Sequence, residues 1–271
     1  MKKLRVAISS PHEKNLYSLL VTKICADDPE IDVVGVCCLK VFSLKRILFE
    51  AKRLGPELIQ KILSKYFYKP QDLHTERITA LIDTHNLNDN SLTSFCKNSH
   101  IDLRKISDPN DPNSINFLSS TKPDVIISIG SIILRDAIIS IPTLGVLNVH
   151  KGILPDYRGM GVTEWPLLHC QSAEEAKLGV TSHLIEQGVD TGPILAIKLL
   201  KLEELNHVDE IEPRYLEITI DAMLDALTLA KNDFNSKTSQ HAGEGKQYFE
   251  LHHRLKDKVD IKLNNYFHGK K

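Results

Sequence analysis

Two short stretches of this chain set polar side chains at the ends of apolar runs. In Leu147-Asn148-Val149-His150 an amide and an imidazole alternate along a strand-like segment, which puts both on one face. In His183-Leu184-Ile185-Glu186-Gln187-Gly188-Val189-Asp190-Thr191-Gly192-Pro193 a second strand-like run gives way to a turn, and Asp190 stands just before Thr-Gly-Pro. An amide, an imidazole and a carboxylate can donate hydrogen bonds, carry protons and accept. Polar groups at the carboxyl end of a strand in an open α/β sheet lie where ligands bind. Each stretch alone also has a plainer reading. A strand-end histidine suits hydrogen-bonded structure, and an Asp in that context forms a turn by bonding its own backbone.

The elements that must position these residues are legible in outline. Leu4 to Ile8 reads as a buried strand, Glu13 to Ala26 as a helix stopped by Asp27-Asp28-Pro29, and Ile31 to Leu39 as a β-branched strand. A strand, helix, strand series of this size predicts a parallel α/β sheet. The first turn, Ser9 to Asn15, has no glycine, so a dinucleotide pyrophosphate finds no close backbone there. Helices are predicted over Thr75 to His85, Ser91 to Asn98 and Glu212 to Asn232, and strands over Ile101 to Ile106, Pro123 to Ile129, Gly145 to Val149, Leu178 to Ile185 and Ile194 to Leu200. Asp108 to Asn113 reads as a polar loop and Asn235 to Lys246 as a linker. A charged helix to about Phe267 ends the chain. Val41 to Lys69 reads as two amphipathic helices broken at Gly55-Pro56 and decorated with lysine and arginine. They suit either packing on the sheet or a platform for a phosphorylated substrate or an anionic surface.

Together the two stretches resemble the folate-dependent formyltransferases: the glycinamide ribonucleotide, methionyl-tRNA and sugar-nucleotide enzymes. The residues that carry the resemblance are Asn148-x-His150, Leu154-Pro155, Tyr157-Arg158-Gly159, and His183 followed by Asp190-x-Gly192. It spans Leu4 to Leu200 and is densest from Pro123 onward. It implies a Rossmann-like, mostly parallel sheet flanked by helices, with a catalytic domain over 1–205, a helical insert over 41–69 and a short helical C-terminal extension over 206–271. Lys151 and Gly152 depart from the pattern, because many relatives have a small residue or proline followed by serine there. The first turn also lacks the glycine-serine phosphate loop of the glycinamide ribonucleotide enzymes, which argues against that substrate.

The resemblance implies 10-formyltetrahydrofolate as donor and Asn148, His150 and Asp190 as catalytic residues. Asn148 and His150 would meet the oxyanion of the tetrahedral intermediate, with His150 alternatively a general acid. Asp190 would orient His150 or help pass the amine proton to the leaving nitrogen. Ile132, Leu134, Glu186, Gln187 and Gly188 would contact the folate, and Tyr157, Arg158 and Gly159 the acceptor. His183 is read as structural support. No metal is implied, and the adjacent His252 and His253 do not share a helix face.

Bulk properties narrow the acceptor. The 271 residues carry a net charge of −1, with 42% apolar and 25% charged residues, which gives no global footprint for nucleic acid. The five cysteines show no two-residue spacing of a metal or redox motif and read as free thiols. No leader or membrane-spanning run is found, so a cytoplasmic protein is expected. About 70 residues follow the last motif strand, less than the tRNA-gripping barrel of the methionyl-tRNA enzymes needs. A small-molecule amine, first a nucleotide-linked amino sugar, is therefore expected over tRNA. A hydrolase releasing formate would carry a further N-terminal domain, and a non-catalytic folate-binding module would not need the intact triad. The tail helix offers a surface for a homodimer.

Overall fold

Strand β1 (Leu4–Ser10) lies in the interior of a seven-stranded sheet, third from one edge, and alternate residues of it and its neighbours feed two separate apolar layers. The computed structural model describes residues 2–40, 76–130, 133–232, 234, 236–241 and 243–269. The helices read over Val41 to Lys69 and the folate contact read at Ile132 lie outside the described residues.

Helix α1 (Leu16–Asp27), capped by the Asn15 side chain, connects β1 to β2 (Ile31–Leu39). Helices α2 (Glu76–Thr84) and α3 (Leu92–Asn98) precede β3 (Leu103–Ile106). Helix α4 (Pro112–Thr121) then leads to β4 (Val125–Ser128), and the short α5 (Asp136–Ile139) to β5 (Gly145–His150). After β6 (Tyr157–Gly159) and the short α6 (Glu164–His169), the remaining sheet strands are β7 (Leu178–Leu184) and β8 (Ile194–Leu200). Their order is β3-β2-β1-β4-β5-β7-β8. Strands β1 to β5 pair in parallel, and β7 and β8 run antiparallel. The mostly parallel α/β sheet expected from the sequence is the one observed.

Both faces are covered, as a parallel sheet requires. Val6, Ile8, Val125, Ile127 and Leu147 pack on one side with α1, α3 and part of α7 (Ile211–Asn232). Ala7, Ile126 and Val146, one residue out of step, pack on the other with α4 and α5. The opposite stretch of α7 joins β7, β8 and helix α8 (His253–Gly269) in a third cluster around the fully buried Tyr215.

Two readings change. Asp108 to Asn113 is not loop throughout: Asp111 caps α4 by accepting from the Ser114 backbone N–H, and Pro112 is the first helical residue. Its Asp and Pro are helix-start signals that composition alone assigns to a turn. The stretch from Asn235 to Lys246 is more than a linker in its described residues. Thr238 pairs with Ile194, and Lys246–Tyr248 forms strand β9, parallel to β6 (Tyr157–Gly159). Backbone pairing between distant segments leaves no mark on composition. Within this strap Gly245 lies flush on the Pro155 carbonyl, with φ at +67°, so a Cβ there would run into backbone.

Gly245→Ala is therefore expected to lower the urea unfolding midpoint, at a cost of at least about 1–2 kcal/mol for the left-handed backbone alone. Limited proteolysis should also open the chain near the strap. An unchanged midpoint would show that the strap does not need this contact.

Candidate active site

The site forms where β5 ends and the sheet changes direction. Antiparallel register puts His183 of β7 directly opposite Asn148 of β5, and Thr181 opposite His150. Directly opposed residues share a face, so the first imidazole and amide meet by register. Gly192 lets the chain fold back after β7, because a Cβ there would strike the Leu184 carbonyl. The returning turn delivers Asp190 with φ at +53°, a conformation uncommon outside glycine. Its carboxylate reaches three groups. Oδ2 accepts from the Gly159 backbone N–H at 2.8 Å and lies 3.3 Å from His150 Nδ1. Oδ1 lies 3.7 Å from His183 Nε2. Asn148, His150 and Asp190 are thus brought together, with His183 as a fourth member.

Hydrogen bonding settles the chemistry of the rings. His183 Nδ1 is 2.8 Å from the Leu184 carbonyl, so it carries the proton and donates. Its Nε2 then accepts from the Asn148 amide at 3.2 Å. The Asn148 amide nitrogen therefore faces His183 and keeps a second N–H for another partner. Burial pushes the His183 pKa down from 6.5 to about 4; the His150 ring adds to the effect and Asp190 opposes it. His150 donates from Nε2 to the Tyr157 carbonyl at 2.8 Å, which leaves Nδ1 as the nitrogen facing Asp190.

The loop after β5 is shaped for this contact. Thr181 Oγ donates to the Gly152 carbonyl at 2.7 Å and accepts from the Leu154 backbone N–H at 3.1 Å. A Cβ on Gly152 would come within 2.8 Å of His150 Nε2 and 3.0 Å of the Tyr157 oxygen. The glycine that departs from the expected pattern is what lets the carbonyl close on the ring.

Of the expected folate contacts, Leu134 is buried against the sheet with Ile185 packed nearby, and Glu186, Gln187 and Gly188 are exposed just beyond β7. The two loops meet where Gln187 donates to Asp136 at 2.8 Å. Tyr157, Arg158 and Gly159 form β6, along the wall next to Asp190.

A family model described as formyl transferase matches residues 53–227. The chain belongs to the formyl transferase family. A methionyl-tRNA formyltransferase from Dictyoglomus thermophilum is 36% identical over 118 residues, 43% of this chain and 36% of that protein. The chain thus spans well under half the length of this curated relative. A solved 4-N formyltransferase from Francisella tularensis shares the fold with a TM-score of 0.54 at 13% identity, covering 92% of this chain and 77% of that one. An N-formyltransferase from Helicobacter canadensis, solved with folinic acid and dTDP-3-aminofucose, has a TM-score of 0.50 at 14% identity, covering 91% and 71%.

One residue of the site escapes the sequence reading and lies outside the part matched by the formyl transferase model. Gln240, on the strap, donates from Nε2 to the carbonyls of Asp190 at 3.0 Å and Gly192 at 2.6 Å. Its Oε1 accepts from Arg158 at 3.1 and 3.3 Å. Two carbonyls on one side and a guanidinium on the other allow only this amide orientation. Gln240 sits in a polar stretch of Ser, Thr and Gln, and nothing in that context singles it out.

Gln240→Ala should cost about 1–3 kcal/mol in urea unfolding, since it strands three partners. Gln240→Glu should cost more, because its carboxylate keeps Arg158 but faces two carbonyl oxygens. Equal stability of both variants would contradict the bonding described.

His183 sets a pH dependence. Its folded pKa is depressed, so the unfolded chain binds the proton first as pH falls, and the stability present above pH 6.5 is lost as pH drops toward about 4. Urea midpoints measured across this window should fall more steeply in wild type than in His183→Gln. Parallel slopes would show that His183 protonates in the folded protein as easily as in the unfolded one.

Proposed function

We propose that this protein transfers a formyl group from 10-formyltetrahydrofolate to a primary amine, and that the amine belongs to a nucleotide-linked amino sugar. The observation that carries the reading is the convergence of Asn148, His150 and Asp190 at the antiparallel edge of β5, with an uncommitted Asn148 N–H beside them. A fixed donor in a secluded site is suited to the negative charge that develops when an amine attacks the formyl carbon. Asp190 serves as the acceptor for the amine proton, which must reach the folate nitrogen as the carbon–nitrogen bond to it breaks. His150, held at Nε2 by the Tyr157 carbonyl, leaves Nδ1 beside that carboxylate as a second acceptor for the proton.

On this reading the folate lies against the 133–136 and 186–188 loops, which meet at the Gln187–Asp136 hydrogen bond. Leu134 supplies apolar surface, and the exposed backbone of Glu186, Gln187 and Gly188 supplies donors and acceptors for a ring with several of each. Ile132 belongs to the same set by sequence. Tyr157, Arg158 and Gly159 line the acceptor side.

The nucleotide-sugar acceptor is favoured because the solved Francisella tularensis 4-N formyltransferase and Helicobacter canadensis N-formyltransferase share the fold over about nine-tenths of this chain. The Helicobacter canadensis protein pairs folinic acid with a dTDP-linked amino sugar. A second reading, methionyl-tRNA as acceptor, draws on the curated relative from Dictyoglomus thermophilum, whose match covers 118 residues. No helix among the described residues is long and apolar enough to cross a membrane.

Tetrahydrofolate release from 10-formyltetrahydrofolate tests the proposal, measured with nucleotide-linked amino sugars, with methionyl-tRNA and with no amine. Amine-dependent release by a sugar nucleotide is expected. Asn148→Ala should lower turnover by roughly 100-fold or more, the usual loss for one oxyanion donor, and His150→Ala should lower it as well by removing the ring beside the proton-accepting carboxylate. Release without any amine would make the protein a hydrolase, and wild-type turnover in either variant would remove these residues from the chemistry.

A further inference from the structure

The Tyr157 backbone and side chain face two different places. Its carbonyl holds His150, and its ring lines a cavity of about 510 Å³. Ligand cavities run from ~300 to ~1,000 Å³. Four rings come together here from three segments. Tyr157 stacks on Tyr248 of the strap at 5.3 Å between centroids and on His169 at 6.0 Å. Trp165 lies 5.1 Å from Tyr248 and 5.4 Å from His169. The rings lining the cavity are Tyr157, His169 and Tyr248, and its charged lining residues are Asp156, Glu175, Lys177 and Lys246. His169, Asp156 and both lysines are exposed. Lys246 Nζ stands 5.6 Å from the Tyr248 ring centroid. Asp156 has no side-chain partner among the described residues.

Rings, two cations and two carboxylates make a specific combination, and Glu175 is already spent on the Gln171 and Ser172 backbone N–H groups, which leaves Asp156 as the carboxylate open to a ligand. Aromatic side chains offer a surface on which any base can stack. Lysines bind phosphate oxygens as point charges. A carboxylate accepts from a ring N–H, which neutral uracil, thymine and guanine carry and neutral adenine and cytosine lack. We propose that this cavity seats the nucleoside diphosphate end of the acceptor. The base lies on the ring cluster, its N–H bonds Asp156, and Lys177 and Lys246 meet the diphosphate. The sugar amine then extends past the Tyr157 backbone toward Asn148 and Asp190. The placement rests on the sugar-nucleotide reading and assigns the strap a part in acceptor selection.

The protein carries its own reporter, because Trp165 is its one tryptophan. UDP, dTDP, GDP, ADP, CDP and inorganic pyrophosphate are titrated into wild type while Trp165 emission is followed, and calorimetry gives an independent affinity. At least one of UDP, dTDP and GDP should change the emission saturably and bind more tightly than ADP, CDP and pyrophosphate. Tyr248→Leu should weaken that binding by about tenfold or more, a typical loss for one stacked base, and Tyr248→Phe should restore it. Asp156→Asn should reduce the margin over ADP and CDP. Titration with 5-formyltetrahydrofolate keeps the two readings apart, since all these variants should bind it as wild type does. Failure of every nucleotide to bind a protein that binds the folate would overturn the base site and leave formyl transfer standing. Pyrophosphate binding as tightly as UDP, or Tyr248→Leu binding nucleotide like wild type, would overturn it as well. A protein that binds nucleotide but no folate would instead strike the transfer reading.

Discussion

Asp190 holds its carboxylate where polar groups from three separate segments converge: the Gly159 N–H from β6, which donates to it, His150 Nδ1 from the end of β5 and His183 Nε2 from β7. A carboxylate with little solvent access needs polar partners. Meeting them requires a backbone that turns back sharply after β7, and the chain supplies it with glycine at 188 and 192 and a left-handed Asp190 itself. Strain of this kind persists only where surrounding bonds over-determine the turn. Gln240 does so by gripping the Asp190 and Gly192 carbonyls, and Thr191 adds a bond to the Gln187 carbonyl.

The two histidines, alike in sequence, take opposite parts because of what surrounds them. His183 is 2% exposed, and its own neighbour's carbonyl fixes its tautomer, so it is a neutral acceptor that orients Asn148. Its distance of 3.7 Å from Asp190 is too long for a hydrogen bond. His150 spends one N–H on a backbone carbonyl and turns the other nitrogen to the carboxylate. An imidazole pinned at one end has one ring orientation, which is the preorganisation that electrostatic catalysis depends on. The support read for His183 from sequence is therefore a specific one, exerted through the Asn148 amide.

How much of this was legible in the sequence follows from the range of the forces involved. Buried parallel strands announce themselves as continuous apolar runs, and Ile31 to Leu39 was bounded to the residue. Asn148, His150 and Asp190 were legible because their spacing is that of a family. What escaped depends on contacts between residues far apart in the chain. The β6–β9 pairing joins Tyr157 to Lys246, and Gln240 reaches back 50 residues to Asp190. Neither leaves a periodic or compositional trace. The start of α4 was missed for the opposite reason: its cap residues are strong local signals, shared between helix starts and turns.

The change of strand direction after β5 links fold to site. In a wholly parallel sheet the strand beside β5 would present its own carboxyl end next to Asn148, and a following loop would have to supply every other group. Antiparallel β7 instead runs its last residues past Asn148 in the opposite sense, so His183 enters from within a strand, held by the ladder on both sides. A side chain on a doubly paired strand is positioned more tightly than one on a loop. The loops are then free for the parts that must vary with substrate. β6 and the strap shape the Tyr157 wall, while the Asn148 amide stays anchored in the sheet.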